Sequence, residues 1–429
     1  MRLSRANTSF WAIWLCAVLW CFVNSSDDPS SIFFRSGSAY RRRYSAIREI
    51  EAQAYLERAV SEPQIESSTK AKLNEFLCIG IPSVNRKTAF LETSLGSLTD
   101  SLSEAERASI HIIVLLADKN PKTHSSYGQP WLSRLADDVI TYEFGGENPF
   151  PAREPDIAYR EIPRGRNGEA RGEHHWENQQ MDHAALVEAC QQHGSPYFAL
   201  IQDDTIASRD WLQRLWRGVA HLENMPKEDE RDWLYLRLFH SEKLMGWNNE
   251  EVLDYLKIIA VVYVLIGAIV LISMRCCRRR GRAARHRHTK VSNAGTTTIR
   301  PPQTHSFSYI ASLALGLWIP ASITLFFMAG RVTFHRLTHR EAYVREMPEY
   351  GCCAQGLVFP QRHMDGALNL LREPPYDFAV DMVIEGYAAA NGLTKWALDP
   401  SILQHIGRTE STDKGRDTNV WNFSFERLR

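Results

Sequence analysis

The sequence predicts an α/β fold that is interrupted by a pair of membrane-spanning helices. In the first half of the chain, apolar segments at 76–82 and 110–117 flank an amphipathic helical pattern at 88–102. This order is typical of a βαβ unit in a parallel sheet. Two longer apolar segments, 258–274 and 307–330, follow before strand-like sequence resumes. A membrane hairpin is therefore predicted to lie inside one soluble domain.

The clearest strand is an apolar segment, residues 197–201, that leads into Gln202, Asp203 and Asp204. An unbroken apolar run is typical of a strand buried on both faces of a parallel sheet. Ligands bind outside the carboxyl ends of such strands. Two carboxylates there could bind a hard divalent cation, and such a cation could in turn bind a diphosphate. An exposed Asp-Asp turn after a core strand is the alternative that these residues leave open.

Further strands and helices complete the α/β pattern on both sides of the hairpin. We expect strands at 139–142 and 233–238 and helices at 177–190 and 378–390, with a Pro-, Gly- and Arg-rich loop at 148–172. A helix at 49–60 belongs to the segment before the first strand, and we interpret it as a solvated spacer. Neither half alone has enough elements for a complete α/β domain.

Three apolar segments predict the membrane topology. Residues 9–23 follow Arg2 and Arg5 without a convincing cleavage site, which favours an uncleaved signal anchor over a signal peptide. The segments 258–274 and 307–330 have lengths near those that a spanning helix needs, and Pro320 is tolerable in a membrane helix. The loop between them is rich in arginine, so the positive-inside rule makes it cytosolic.

This topology gives the expected division of the chain. The predicted parts are a cytosolic tail (1–8), a signal anchor (9–23), a lumenal stem (24–72), the first half of the soluble domain (73–257), a span (258–274), a basic cytosolic loop (275–306), a span (307–330) and the second half (331–429). Both halves of the soluble domain would face the lumen. The formal net charge of zero gives no electrostatic reason to expect nucleic acid.

Cysteines and sequons give weaker signals. Cys276 and Cys277 abut the second span, where palmitoylation and idle thiols are both open. Four cysteines in the predicted lumenal parts allow three pairings, among which the sequence does not choose: Cys78, Cys190, Cys352 and Cys353. Asn24 and Asn422 begin glycosylation sequons whose use is also left open.

Five motifs, in this order, resemble those of the N-acetylglucosaminyltransferase IV family. They are Gly-Ile-Pro-Ser-Val-Asn-Arg (80–86), Gln-Gln-Met-Asp (179–182), the acid pair (203–204), Pro-Tyr-Asp-Phe-Ala-Val-Asp (375–381) and Gln-His-Ile-Gly (404–407). The inserted hairpin narrows the resemblance to the post-GPI-attachment GalNAc-transferase 4 group, over most of 73–424. One departure is Gln202, where the family usually has a glutamate.

The resemblance implies a Golgi glycosyltransferase with a GT-A fold. Such an enzyme moves an N-acetylhexosamine, with GalNAc favoured, from a UDP-sugar to the glycan of a GPI anchor with inversion. The acceptor is a GPI-anchored protein or a GPI glycolipid at the membrane. Asp204 is the leading ligand for Mn²⁺ or Mg²⁺, because the metal-binding acid is typically the last of the family's triplet. We therefore expect activity to survive the change at Gln202.

The remaining roles divide between metal, donor and base. Asp203 is expected to contact ribose or metal-bound water, and His405 to complete a mixed carboxylate and imidazole shell, which is plausible for Mn²⁺. Pro82 and Arg86 are donor-binding candidates, with Arg86 on the diphosphate. Asp182 is expected on the nucleoside, although a structural salt bridge is open for both Arg86 and Asp182.

The base should be a carboxylate at the start of a helix that faces the acceptor. Asp377 and Asp381 are four residues apart, on one face of the predicted helix. We prefer Asp381, because Asp377 is also a candidate N-cap. Glu385, one turn later, is interpreted as a solvated residue.

Three other functions remain open at this stage. Gln202 motivates a catalytically inactive receptor or chaperone for GPI-anchored proteins. An N-glycan N-acetylglucosaminyltransferase shares the motifs. A metal-dependent phosphodiesterase also uses adjacent acids at strand ends. Such an enzyme usually needs several more Asp and His ligands than are found close together in the predicted lumenal parts of this sequence.

Overall fold

The computed structural model describes residues 2–35, 41–61, 75–144, 158–163, 175–225, 232–249, 251–289, 304–338, 343–347, 351, 354–407 and 422–428. The chain forms two compact units, each built from two segments. One comprises Met1–Ala39 and Met245–Thr338, and the other comprises Tyr40–Leu244 and His339–Arg429. We call them the membrane unit and the soluble unit.

The helices and strands have the following bounds. The helices are α1 (Arg2–Asn24), α2 (Tyr44–Ser61), α3 (Leu91–Thr99), α4 (Glu104–Ala108), α5 (Pro130–Leu135), α6 (His175–Gln191), α7 (Trp211–Glu223), α8 (Val252–Thr289), α9 (Thr304–Leu313), α10 (Ile319–Ala329), α11 (Arg331–Thr338), α12 (Met364–Arg372), α13 (Val380–Ala390) and α14 (Phe423–Glu426). The strands are β1 (Leu77–Ser83), β2 (Ile110–Leu116), β3 (Asp138–Tyr142), β4 (Arg160–Ile162), β5 (Tyr197–Ile201), β6 (Thr205–Ala207), β7 (Trp233–Arg237), β8 (Tyr343–Glu346), β9 (Gly356–Pro360), β10 (Thr394–Asp399) and β11 (Leu403–His405).

The membrane unit contains three helical stretches that are long and apolar enough to cross a bilayer. They are Arg5–Asn24, Val252–Ser273 and Tyr309–Ala329. The third stretch joins α9 to α10 through a π-helical turn at Ala314–Trp318. This turn ends two residues before Pro320, which lacks the N–H that a regular helix needs. Helix α8 continues beyond its span into the basic segment, as far as Thr289.

The soluble unit is built on one nine-stranded mixed sheet, with the order β4-β3-β2-β1-β5-β9-β7-β10-β8. The strands from β4 to β5 are parallel, and β9 pairs antiparallel with both β5 and β7. The α/β class and its interruption by two apolar helices are therefore confirmed. The carboxyl ends of β1, β2, β3, β5 and β7 lie at one edge of the sheet, which we call the carboxyl edge.

Burial on both faces explains why the central strands are continuously apolar. In β5, Ala199 and Ile201 pack into one hydrophobic core, whereas Phe198 and Leu200 pack into the core on the opposite face. All four side chains are at most 1% exposed. Residues that alternate between two cores must all be apolar, so the strand shows no polar face.

Helix α2 packs into the soluble unit, so its interpretation as a solvated spacer is wrong. Tyr44, Ala52 and Leu56 are buried, and Arg48 is only 1% exposed. The Arg48 guanidinium is 2.6 Å from a carboxylate oxygen of Asp100 and also donates to the carbonyl of Ala207. The helix therefore anchors this segment against α3 and β6.

The soluble unit settles two questions that the sequence left open. Cys78 in β1 and Cys190 in α6 form a disulfide, whereas Cys352 and Cys353 lie outside the described residues. Asn422 is completely buried, and its side chain donates to Ser401 and accepts from the backbone of Glu242. A glycan on Asn422 would disrupt these bonds, so this sequon is not an acceptor in the folded protein.

Candidate active site

The acid pair lies at the centre of the carboxyl edge, in the turn between β5 and β6. A second small sheet places His405 beside it, because β11 pairs antiparallel with β6 and His405 lies opposite Thr205. His405 Nε2 is 3.1 Å from Asp204 Oδ2. The backbone N–H of Ile406 also donates to the Asp204 carbonyl, at 2.9 Å. The structure thus brings His405 to the acid pair, although it lies 201 residues after Asp204 in the chain.

Arg86 neutralises part of the charge on the two acids. Because β1 is the parallel neighbour of β5, the turn after β1 reaches the same part of the edge. The Arg86 guanidinium donates to Asp204 Oδ2 and to Asp203 Oδ1, each at 2.9 Å. Arg86 is therefore an ion-pair partner of both acids, which is the alternative that the sequence analysis left open beside a role on the diphosphate. Pro82 is the penultimate residue of β1 and is half-buried.

A hydrogen-bonded chain that the sequence analysis did not find orients Asp203. The backbone N–H of Ser126 donates to His124 Nδ1 at 3.0 Å, so the ring carries its proton on Nε2. That nitrogen is 3.1 Å from Ser83 Oγ, and the Ser83 hydroxyl donates to Asp203 Oδ2 at 2.6 Å. Burial, with the nearby charge of Arg86, lowers the pKa of His124 to about 4, which keeps the ring neutral.

The two acids differ in how they hold a proton. Burial raises the pKa of Asp203 to about 6, against the opposing charge of Arg86. Burial also opposes ionisation of Asp204, but His405 and Arg86 outweigh it and lower the pKa of Asp204 to about 2. Asp204 is therefore the acid that stays ionised across the physiological range.

The site fits a divalent cation by its donor atoms. Asp204 Oδ1 is buried and has no hydrogen-bond partner among the described residues, which is costly unless something else binds it. The 3.1 Å between His405 Nε2 and Asp204 Oδ2 matches adjacent ligands of an octahedral cation, which are about 3 Å apart for bonds of about 2.1 Å. Asp204 and His405 would hold the ion, with Asp203 beside them.

Gly407 lies so close to the Asp204 carboxylate that there is no space for a side chain. A Cβ at this position would lie 2.6 Å from Asp204 Oδ2, so any side chain would displace the carboxylate. This explains in physical terms why the Gln-His-x-Gly motif ends in glycine: the backbone must pass close to the charged oxygen.

The predicted nucleoside ligand, Asp182, lies at the amino-terminal part of α6. Its carboxylate is buried and accepts a hydrogen bond of 2.7 Å from the hydroxyl of Tyr142, at the end of β3. Helix α6 runs back to the amino end of β5, so its first turns lie at the carboxyl edge. Asp182 is thus on the same edge as the acid pair, on the side of β3.

The base candidates occupy the start of α13, which packs against α6. The Gln179 side chain accepts from the backbone N–H of Val380, and Gln180 donates to the carbonyl of Phe378. Asp381 lies in the first turn of α13, near buried His183. The two bonds place the start of α13 beside the amino-terminal half of α6.

Two expectations about α13 are wrong. Ala379 has extended backbone angles and is the N-cap, so the helix begins at Val380. Asp377 therefore precedes the helix: it is neither the N-cap nor on a helical face with Asp381. Glu385 is buried rather than solvated, at 8% exposure.

Glu385 binds a set of polar residues from β7 and β10. Its Oε1 accepts from the Tyr235 hydroxyl and from Arg237, the latter at 2.8 Å. Its Oε2 accepts from the Lys395 ammonium group at 2.6 Å. We call these four residues the Glu385 cluster. Their partners come from both sides of the hairpin, which is why no local sequence pattern reveals them.

Comparison with known proteins identifies a family and a similar solved structure. The sequence model of the family described as GPI-N-acetylgalactosamine transferase PGAP4 matches residues 77–404. Among solved structures, the mannosyltransferase PcManGT from Pyrobaculum calidifontis, in complex with GDP-Man and Mn²⁺, is 13% identical with a TM-score of 0.22. That match covers 46% of this chain and 45% of the mannosyltransferase, so it spans less than half of either protein.

The family match includes the first strand, the acid pair, both apolar helices of the hairpin and α13, and it ends at Gln404 in β11. It covers well over half of the chain, on both sides of the hairpin. The chain therefore belongs to the GPI-N-acetylgalactosamine transferase PGAP4 family and is a glycosyltransferase.

Proposed function

We propose that this protein is a metal-dependent, inverting transferase of GT-A type that moves an N-acetylhexosamine, with GalNAc favoured, from a UDP-sugar to the glycan of a GPI anchor. One observation carries the metal dependence: Asp204 is buried at the carboxyl edge with one oxygen unpartnered and an imidazole 3.1 Å from the other. Family membership supports the sugar and the acceptor.

Mn²⁺ or Mg²⁺, when bound by Asp204 and His405, would neutralise the departing diphosphate as a Lewis acid. The residues of the chain prepare that site. The Ser83 hydroxyl fixes the orientation of Asp203, and neutral His124 holds Ser83 in turn. Arg86 supplies a positive charge beside both acids, where a diphosphate oxygen would also be stabilised.

Asp381 is our proposed base, which would accept the proton of the attacking acceptor hydroxyl. It projects from the first turn of a helix, where the helix dipole favours a carboxylate. The contacts of Val380 and Phe378 with α6 fix this helix start. Tyr142 holds Asp182 at the far side of the same edge, which suits recognition of the nucleoside.

We further propose that the protein resides in the Golgi membrane with the soluble unit in the lumen. The disulfide between Cys78 and Cys190 supports an oxidising compartment for this unit. The arginine-rich end of α8 supports a cytosolic position for the loop between the second and third spans.

The test is a panel of UDP-sugars with purified, detergent-solubilised protein and a GPI-glycan acceptor, with and without Mn²⁺. We expect turnover of one N-acetylhexosamine donor that is lost with chelator and in Asp204→Asn. The matched control is Asp210→Asn, which removes an exposed carboxylate that pairs with Arg214. Failure of the wild type to bind or turn over any UDP-sugar would refute the proposal and favour a receptor role.

A further inference from the structure

A second group of metal-binding side chains lies at the opposite edge of the sheet from the acid pair. Glu75 precedes β1, His111 is the second residue of β2, and His193 lies between α6 and β5. In the parallel ladder, His111 lies opposite Cys78, near the amino ends of both strands. Three separate segments of the chain thus converge at this edge, where the parallel strands begin, and we call it the amino edge.

The ligand atoms are close enough to share one ion. One atom from each of the three side chains lies within 4.8 Å of the other two. His111 Nδ1 is 3.4 Å from Glu75 Oε1. This separation matches two ligands of a tetrahedral zinc ion, whose bonds of about 2.0–2.1 Å place adjacent ligand atoms about 3.4 Å apart.

His193 completes the protein ligands. Its ring centroid is 3.7 Å from that of His111, and its side chain is exposed. An exposed side chain changes rotamer without disturbing the core, so His193 can turn a ring nitrogen towards the ion. On His111, the buried Nε2 has no hydrogen-bond partner among the described residues. No donor to Nε2 therefore forces the ring proton onto Nδ1, so Nδ1 can bind the ion through its lone pair.

We propose that Glu75, His111 and His193 form a Zn²⁺ site with a water molecule in the fourth position. Two imidazole nitrogens and one carboxylate oxygen suit zinc, whereas Mg²⁺ and Ca²⁺ prefer oxygen ligands throughout. The site is distinct from the Asp204 site, because the two occupy opposite ends of the β1 and β5 strands.

The surrounding structure pre-forms this zinc site. The disulfide between Cys78 and Cys190 joins β1 to the last turn of α6. The backbone N–H of His193 then donates to the Cys190 carbonyl at 3.1 Å. Because two of the ligand-bearing segments are already linked, little conformational entropy opposes metal binding. Zinc would add a second clamp at the amino edge, beside the disulfide.

The experiment uses the full-length protein in detergent, stripped of metal by a chelator and then given excess Zn²⁺. Bound zinc per chain is measured after removal of free metal, and the melting temperature is measured with and without zinc. We expect one zinc at this site and a rise in melting temperature of about 5 °C at saturating metal. Both should be lost in His193→Gln, which alters an exposed side chain, and in Glu75→Gln.

Two controls separate this site from other sources of binding. His221→Gln removes an exposed histidine of α7 and should keep both the zinc and the thermal shift. Asp204→Asn should also keep them, since it changes only the opposite edge. Equal zinc and equal shifts in the wild type and His193→Gln would overturn the proposal, as would loss of this zinc in Asp204→Asn or no zinc bound by the wild type.

Discussion

Two clusters in the soluble unit bury carboxylates, and their charges are balanced in opposite ways. At the acid pair, one guanidinium faces two carboxylates, and Asp204 Oδ1 has no partner among the described residues. In the Glu385 cluster, two cations face one carboxylate, and both of its oxygens accept hydrogen bonds. When His405 binds a metal as a neutral imidazole, the first cluster has an excess of negative charge, whereas the second does not.

This difference separates a binding site from a structural element. Burial of an unpaired charge is costly, so an excess negative charge persists where a ligand compensates it. A carboxylate whose oxygens are both occupied has little capacity for a ligand. Helix α13 carries both Glu385 and Asp381. The Glu385 cluster therefore holds in place the helix on which our proposed base lies.

The largest effect should come from Asp204→Asn. This substitution removes the ionised ligand but keeps the size of the side chain, so we expect kcat to fall by about 10³-fold or more. Stability should change little, because Arg86 keeps Asp203 as its partner. Steady-state kinetics and a thermal melt measure the two quantities. A wild-type kcat in Asp204→Asn would contradict the conclusion that the excess negative charge of the acid pair serves to bind a ligand.

Glu385→Gln should have the largest effect on stability. It removes the carboxylate that accepts from both Arg237 and Lys395, and the loss of one partner from a buried ion pair costs about 3–5 kcal/mol in the free energy of unfolding. Denaturant unfolding measures the change. The matched control is Glu188→Gln, which removes an exposed carboxylate paired with Arg372 and should cost less than about 1 kcal/mol. Similar costs for the two variants would show that the Glu385 cluster is not structural.

Gly407→Ala tests how closely the backbone must approach the acid pair. The added Cβ would lie 2.6 Å from Asp204 Oδ2, so we expect kcat/KM to fall about 10- to 100-fold through displacement of the carboxylate. Gly386→Ala is the control, because a Cβ there has nothing within 4 Å. In the interior of α13, it should stabilise the protein by about 0.5–1 kcal/mol without loss of activity. Equal kinetics for the two variants would refute the steric argument.

His183 is a buried ionisable group of a third kind, because it is kept neutral instead of forming an ion pair. Burial lowers its pKa to about 4, opposed by its bond to the Gln179 carbonyl and by Asp381. The unfolded chain binds the proton first, so this contribution to stability is complete above about pH 6.5 and is lost as the pH falls towards 4. Relative to His183→Gln, the wild type should lose on the order of 3 kcal/mol across that window. Parallel pH profiles of unfolding would contradict this.

The fold was predictable where burial imposes a pattern. Strands β1, β2 and β5 lie on apolar runs because both of their faces are covered, and the acid pair follows directly from the end of β5. Helix α2 was misjudged although its buried positions Tyr44, Arg48, Ala52 and Leu56 recur every four residues. One of them is an arginine and another an alanine, so the stripe has low hydrophobicity. Ion pairs with Asp100 and Glu51, together with bonds to the carbonyls of Ser97 and Ala207, make that arginine a core residue.

The metal ligands of the candidate site could be predicted from the sequence, but the residues that hold the site in place could not. Asp203, Asp204 and His405 came from motifs, and the structure brings them together. His124 carries no local signal, because its role depends on Ser83, 41 residues earlier and on the neighbouring strand. The partners of Glu385 lie on β7 and β10, on opposite sides of the hairpin, and Asp377 was misplaced because Ala379 adopts an extended backbone that delays the start of α13.

The position of β9 has a consequence for biosynthesis. This strand follows the hairpin in the chain, yet it lies between β5 and β7, which both precede the hairpin. A nascent chain that ends before Gly356 therefore has two open strand edges with a gap one strand wide between them, and open edges invite aggregation. Only a chain whose hairpin has already been synthesised can close that gap. Completion of the sheet therefore depends on a strand that is synthesised after both apolar helices of the hairpin.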